Sequence, residues 1–169
     1  MTTTEITGFR DREDAARRLA AALKDRELRD PLVLAIPRGG VVTGAVLARE
    51  LNAELDVVLS RKLRAPYQPE YAIGAIAETG QVTVNPEAWS APGLSEGYLE
   101  AEKERQLAEI DRRKRLIHGV RPPARVAGRS VVVTDDGIAT GSTMIAALQA
   151  VRAQGPHELI VAVPVASPD

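Results

Sequence analysis

Two adjacent carboxylates, Asp135 and Asp136, follow a short apolar run and precede a turn rich in glycine and hydroxyl side chains. The apolar run at 131–133 is β-branched, which is typical of a buried strand. After the turn, apolar residues recur at helical spacing (Met144, Ile145, Ala147, Leu148, Val151). The exposed amides of such a turn, at the positive end of a helix, form an anion site that suits a phosphate. The two carboxylates would repel a bare phosphate, so ribose hydroxyls and a magnesium ion are the natural ligands beside them.

The turn does not match the commoner phosphate and metal loops. A Walker A loop needs a lysine before its hydroxyl residue, and the segment 137–143 contains none. An EF-hand loop beginning at Asp135 would need a glutamate at its twelfth position, where this chain has Ala146. A purely structural turn, in which an aspartate caps the helix, stays open as the alternative, although one carboxylate would be enough for that task.

The stretch 131–143 resembles the binding motif of type I phosphoribosyltransferases, which bind 5-phosphoribosyl 1-diphosphate (PRPP). Members carry a hydrophobic strand, two acidic residues and a loop close to Ile-Ala-Thr-Gly-Ser-Thr, and the match here has no gap. The resemblance implies that Asp135 and Asp136 meet the ribose hydroxyls. It also implies a 5-phosphate loop formed by Gly137, Ile138, Ala139, Thr140, Gly141, Ser142 and Thr143.

A second strand–turn–helix unit lies earlier in the chain. The apolar run at 32–36 predicts a strand, and apolar residues at helical spacing begin at Val41. Between them, paired glycines would let backbone amides approach a ligand, and Arg38 adds a fixed charge. The glycines lack the Rossmann spacing, and the segment alone could equally be a plain turn. Beside the acidic motif it resembles the family's pyrophosphate loop, with the predicted contacts Pro37, Arg38, Gly39 and Gly40.

A basic pair, Arg61 and Lys62, follows the next predicted strand at 55–59. The segment 63–71 contains two prolines, which argue against a helix or an inner strand. The resemblance makes Arg38, Arg61 and Lys62 the catalytic candidates that hold the leaving pyrophosphate, and 63–71 a closing lid. A solvated basic pair before a surface loop is the alternative reading of the same residues.

The elements that must position these groups alternate between strands and helices. This order predicts an α/β domain with a mainly parallel central sheet flanked by helices, the type I phosphoribosyltransferase fold in the resemblance. Ligands of such sheets bind at the carboxyl ends of the strands, where both glycine loops would converge. We further expect a tether at 1–10, a lid and hairpin at 63–84, and an insertion at 85–128 with a long charged helix capped by Ser95.

The final strand is predicted at 158–163, and the sequence ends at Asp169. Members of the family usually have a further strand and a hood that selects the base. We therefore expect a domain that lacks these C-terminal parts, or one that receives them from a partner.

The composition of the chain limits the number of domains and the classes of partner and site that it can have. With 169 residues the chain is expected to form one domain, and a formal net charge of −1 gives no general attraction to nucleic acid or to a membrane. The absence of cysteine excludes thiolate nucleophiles and zinc–thiolate sites. His118 and His157 lie in polar segments and are predicted on the surface, and Trp89 is predicted as a packed loop anchor. Without a secretion signal, a cytoplasmic protein is the default expectation.

The reaction implied by the resemblance is transfer of the 5-phosphoribosyl group of PRPP to a nitrogen of an unidentified base, with release of pyrophosphate. Mg²⁺ would enter on the pyrophosphate, near Asp135 and Asp136 through water, without direct protein ligands. Hypoxanthine/guanine members usually have an aspartate where this loop has Ala139, which weakens a 6-oxopurine assignment and leaves adenine, orotate and other acceptors open.

Beyond these motifs, the chain looks closest to uncharacterised bacterial phosphoribosyltransferase-like proteins. A non-catalytic regulator that senses PRPP or a nucleotide in the same pocket is the alternative function. The sequence identifies no general base, and it leaves the oligomeric state open, a homodimer included.

Overall fold

The computed structural model describes residues 8–120 and 122–167, so most of the predicted tether lies outside the described residues. The elements in chain order are α1 (Arg12–Leu23), β1 (Leu32–Ala35), α2 (Gly40–Glu50), β2 (Glu54–Val57), β3 (Ser60–Arg64), β4 (Ala72–Ala77), β5 (Val82–Val84), a 3₁₀ helix (Pro86–Ser90), α3 (Glu96–His118), β6 (Ser130–Thr134), α4 (Ser142–Arg152) and β7 (Glu158–Ala162). Among these helices, none combines the length and the apolar character needed to cross a membrane.

The main sheet has four strands in the order β2-β1-β6-β7, and all of its pairings are parallel. Strands β1 and β6 are buried along their whole length. Helices cover both faces of such a sheet, which explains why these strands are continuous apolar runs without alternation. The predicted α/β fold with a parallel sheet is confirmed.

Helix α4 lies between the main sheet and a second sheet. Its residues Met144, Ala147 and Val151 pack in the core of the main sheet. Its residues Ala146 and Ala150 pack against two alanines of β4. Helices α1 and α2 cover the opposite face of the main sheet, and α3 covers the outer face of the second sheet. The side chains of α4 therefore join two sheets into one layered structure.

The second sheet is antiparallel, in the order β3-β4-β5. Its β4–β5 hairpin confirms the predicted hairpin around Thr79 and Gly80. The prediction that one strand runs over 55–59 and ends in the basic pair is wrong. Strand β2 ends at Val57, Val58 and Leu59 are buried in two different cores, and Arg61 and Lys62 lie inside β3. The apolar run at 55–59 continues past the end of β2 because the residues that connect the two sheets are themselves buried.

Helix α3 begins as predicted, because Ser95 Oγ accepts a hydrogen bond of 3.2 Å from the amide of Tyr98. Two smaller predictions are wrong. Trp89 is 49% exposed, and its neighbour Ala88 is the buried residue of the 3₁₀ helix. The His118 side chain is only 11% exposed and its Nε2 lies 3.2 Å from Asp56 Oδ1, whereas His157 is exposed as predicted.

Candidate functional site

The segment 135–143, called here the twin-aspartate loop, connects β6 to α4. Its last residue before the helix, Gly141, has φ +74°, a left-handed conformation that glycine adopts without steric conflict. The loop is fastened on its far side, where the Ile138 amide donates to the Val165 carbonyl at 3.0 Å and the Ser167 amide donates to the Ile138 carbonyl at 2.8 Å. Its path is therefore set by a strand, a helix and a backbone bridge.

The amides of the twin-aspartate loop are available to a ligand. From Ala139 to Thr143, no backbone N–H donates to an acceptor in the part of the chain that the structure describes. The first amides of an α-helix have no intrahelical partner, and here they follow a glycine turn at the positive end of the α4 dipole. Free amides at such a position can bind an anion, which is the geometry that the predicted 5-phosphate loop requires.

The segment 37–40, called here the glycine-pair loop, touches the twin-aspartate loop because β1 and β6 are neighbours. A Cβ atom on Gly40 would lie 2.9 Å from both the Asp135 Cα and the Thr134 carbonyl oxygen. A Cβ atom on Gly39 would overlap the Asp136 carboxylate. Only glycine allows this approach.

Arg38 is exposed, and the Pro37–Arg38 peptide bond is cis. Within residues 8–120 and 122–167, the Arg38 guanidinium has no hydrogen bond or ion pair, and the Arg38 and Gly39 amides donate none. The glycine-pair loop thus presents a free positive charge and free amides next to the two carboxylates.

The surroundings of the Asp135 carboxylate change its pKa. Burial raises the pKa of Asp135, and the adjacent Asp136 acts in the same direction. Hydrogen bonds from the Asp136 amide, at 2.8 Å, and from the Gly40 amide oppose the rise. These two hydrogen bonds hold the Asp135 carboxylate in place. A ligand that supplies hydroxyl donors or positive charge would stabilise its charged form.

Lys62 and Arg61 point to opposite faces of β3. Lys62 lies on the α4 side, as does Ser60, whose Oγ donates to the Thr143 carbonyl at 3.0 Å. Arg61 lies on the α3 side, where its Nε donates to Gln106 Oε1 at 2.6 Å. Burial against α3 lowers the pKa of Arg61. The structure therefore brings Lys62 to the candidate site and places Arg61 away from it.

A cleft of about 170 Å³ opens where these elements meet. It is lined by Lys62, Asp135, Gly137, Ile138, Ala139, Thr140, Gly141, Thr143 and Met144. A second cavity of about 410 Å³ shares Lys62 and Thr140 with the cleft and extends under Glu70 and Tyr71 at the end of the predicted lid. The glycine-pair loop does not line the cleft but touches Asp135, which does, and Asp136, which lies beside it.

Sequence reasoning missed one residue of this site, Arg12. Its Nη2 and Nε lie 3.0 and 3.3 Å from Asp136 Oδ2. No local sequence pattern relates two residues that are 124 positions apart. Among the described residues, no group of three or more His, Cys, Asp or Glu side chains is arranged to hold a metal ion.

The family model described as "Phosphoribosyl transferase domain" matches residues 2–169 of this chain. Two Mycobacterium tuberculosis proteins, from strains CDC 1551 and H37Rv, are each named "Putative phosphoribosyl transferase" and are 40% identical to it over 161 residues. The match covers 95% of this chain but 36% of each relative. The chain thus spans about a third of the length of the curated relatives it matches.

Among solved structures, the protein TT1426 from Thermus thermophilus is 48% identical with a TM-score of 0.78, over 96% of this chain and 77% of that one. A purine phosphoribosyltransferase from Pyrococcus horikoshii has a TM-score of 0.54 at 18% identity, over 93% and 74% of the two chains. A hypoxanthine-guanine phosphoribosyltransferase from Bacillus anthracis has a TM-score of 0.51 at 17% identity, over 93% and 69%. At these low identities, the last two indicate a shared fold.

Proposed function

Since this chain belongs to the phosphoribosyl transferase domain family, we propose that it binds PRPP with Mg²⁺ and transfers the 5-phosphoribosyl group to a nitrogen of a base, releasing pyrophosphate. The observation that carries this proposal is the convergence of Lys62, Asp135 and the free amides of the twin-aspartate loop in one cleft. Each group complements a different part of PRPP, and the family membership explains why they occur together.

The residue roles follow from the chemistry of each group. The amides of 139–143 donate to the 5-phosphate, and Asp135 and Asp136 accept hydrogen bonds from the ribose hydroxyls. The amides of Arg38 and Gly39 and the charge of Arg38 face the pyrophosphate from the glycine-pair loop, while Lys62 approaches from β3. These contacts fix the C1 carbon between an acceptor and a leaving group, which lowers the entropy cost of reaching the transition state.

In this reaction the bond between ribose C1 and the pyrophosphate oxygen breaks as the acceptor nitrogen forms its bond to C1. Negative charge grows on the departing oxygens while positive charge grows on the ribose ring. Lys62 and Arg38 stabilise the negative charge on the departing oxygens, and the ionised Asp135 and Asp136 stabilise the positive charge on the ribose ring. Fixed charges aimed at developing charge stabilise the transition state more than the substrate.

The two carboxylates also fit a hydrated Mg²⁺, because this ion prefers oxygen ligands and keeps several of its waters. Asp135 and Asp136 would hold it through water beside the cleft. When bound, Mg²⁺ neutralises part of the charge of the pyrophosphate. The acceptor stays unassigned, since Ala139 offers no side-chain hydrogen bond to a ring.

A PRPP sensor without turnover is the second candidate. It is favoured by one observation, namely that Arg61 is bonded to α3, which leaves fewer cations at the cleft than the sequence predicted. Because a sensor needs affinity but no leaving-group stabilisation, binding and pyrophosphate release distinguish the two functions.

The test is titration calorimetry with PRPP in the presence and absence of Mg²⁺, followed by pyrophosphate release over a panel of purine and pyrimidine bases. Magnesium-dependent binding together with release on one class of base supports the transferase. Tight binding without release on any base supports the sensor. If PRPP does not bind with Mg²⁺ present, both functions are wrong.

A further inference from the structure

The arginines at the start of α1 have different partners. Arg10 and Arg18 pair with Asp14, and Arg17 pairs with Glu13, all three within four residues of their partners. Arg12 instead reaches Asp136, across 124 positions of the chain. Pairs within one turn are what a solvated helix face provides on its own. The contact between Arg12 and Asp136 can form only when the chain is folded, because the two residues are distant in sequence.

Asp136 lies between Arg12 and the glycine-pair loop. A Cβ atom on Gly39 would overlap its carboxylate, so the backbone of that loop occupies one side. The guanidinium of Arg12 occupies another, with Nη2 and Nε both directed at Oδ2. Two donors on a single oxygen restrict rotation of the carboxylate and leave Oδ1 as the oxygen for a ligand hydroxyl.

The position of Arg12 is set by the helices that carry it. The Asp11 carboxylate caps α1 by accepting from the Asp14 amide at 2.8 Å, which makes Arg12 the first residue of the helix. Helix α1 and helix α2 share a core over the main sheet. Since α2 begins at Gly40, beside Asp135, the same pair of helices places Arg12 and the glycine-pair loop relative to each other.

We propose that Arg12 is a positioning residue of the PRPP site, which holds the Asp136 carboxylate in the orientation that accepts the ribose hydroxyls. This inference rests on the proposed function for the identity of the ligand. The positive charge also offsets the repulsion between the two adjacent carboxylates, and between them and the phosphates of the ligand.

A double-mutant cycle tests the inference. PRPP affinity in Mg²⁺ is measured for the wild type, Arg12→Gln, Asp136→Asn and the double variant. Arg17→Gln is the matched control, because it removes an exposed arginine with a partner on the same helix. The Arg12–Asp136 pair is largely exposed, so Arg12→Gln is expected to weaken binding only about threefold to fivefold. In the Asp136→Asn background the same change should have no further effect, and Arg17→Gln should have none in either background.

The opposite results would overturn the inference. An equal loss in both backgrounds would mean that Arg12 acts on the ligand directly, and an unchanged affinity in Arg12→Gln would mean that it does not act. A ligand-free measurement separates these outcomes from a failure of the proposed function. The Nε–H NMR resonance of Arg12 should shift on Asp136→Asn, whereas that of Arg17 should not. If the resonance shifts but the wild type does not bind PRPP, the contact exists and the proposed function fails, together with the role assigned to Arg12.

Discussion

Asp135 illustrates a conflict between folding and binding at a single residue. Burial raises its pKa in the folded protein, so the folded state holds the proton more tightly than the unfolded state does. Its contribution to stability is therefore most favourable below the ordinary pKa of 3.8 and declines as the pH rises toward the folded value. At neutral pH the charge destabilises the ligand-free protein, while the proposed ribose contact requires it.

We accordingly expect Asp135→Asn to raise the free energy of unfolding at pH 7 and to leave it little changed at pH 3, where the aspartate is protonated in both states. The asparagine oxygen can still accept from the Asp136 amide, so the loop should keep its path. PRPP affinity should fall about tenfold, because hydrogen bonds to a charged group are lost. Urea unfolding at the two pH values and calorimetry measure these effects. Lower stability of the variant at pH 7 would contradict the account.

Lys62 and Arg61 provide a comparison between adjacent residues on opposite faces of β3. Lys62→Ala should slow pyrophosphate release by about 10²-fold and weaken PRPP binding less, since its contact strengthens as the leaving group gains charge. Arg61→Ala should leave release unchanged and lower the free energy of unfolding by about 1–3 kcal/mol, because the buried Gln106 loses its donor. Single-turnover kinetics and urea unfolding separate the two effects. Equal slowing by both variants would place Arg61 in the site after all.

Arg61 and Lys62 also show which secondary-structure boundaries could be predicted from the sequence and which could not. The strands β1 and β6, the hairpin and the cap of α3 depend on apolar period, turn residues and side-chain caps, all of which are local. Arg61 and Lys62 lie on opposite faces because both belong to β3, so their separation depends on whether β3 begins before them. That boundary was hidden, because Val58 and Leu59 continue the apolar run of β2 while they enter different cores. A shift of one residue exchanges the two faces of a strand.

The candidate site, like the fold, could be predicted from the sequence only where its signals are local. The twin-aspartate loop and the glycine-pair loop were found because each is contiguous and has a distinctive composition. Their mutual contact followed from the parallel order of β1 and β6. Arg12 could not be found, since a lone arginine in the first turn of an amphipathic helix has the same local pattern whether it is solvated or bound to a distant carboxylate.

The junction between the two loops makes a prediction at the level of elements. In Gly39→Ala the added methyl group would overlap the Asp136 carboxylate, so the glycine-pair loop must move away from the twin-aspartate loop. We expect PRPP affinity to fall by about 10-fold or more, because the ribose and pyrophosphate contacts can no longer form together. Calorimetry measures the change.

Gly97→Ala is the control for this substitution. Gly97 lies in the first turn of α3, and a Cβ atom there would meet nothing within 4 Å. The alanine should leave PRPP affinity unchanged and stabilise the protein by about 0.5–1 kcal/mol through its helix preference. Unchanged affinity in Gly39→Ala would show that the two loops do not act on one ligand.

At the level of the whole molecule, the cleft depends on both sheets. Lys62 belongs to the second sheet, whereas Asp135 and the twin-aspartate loop follow the main sheet. The sheets are joined through α4, whose buried residues contribute to both cores. A helix shared in this way couples the two halves, because neither sheet can open without exposing apolar surface of α4.

Hydrogen exchange can measure this coupling. Free PRPP with Mg²⁺ at 100 times its dissociation constant should stabilise the folded state by about 2.7 kcal/mol, which slows exchange through global unfolding about 100-fold. If the two sheets open as one unit, the slowest amides of β6 and of β4 should be slowed by this same factor. Mg²⁺ alone is the control and should slow neither set. Slowing confined to β6 would mean that the second sheet opens independently and that PRPP binds the open and closed forms of this sheet with equal affinity. Lys62 would then contribute nothing to PRPP affinity, because a ligand that favours the closed form must also slow the opening of β4.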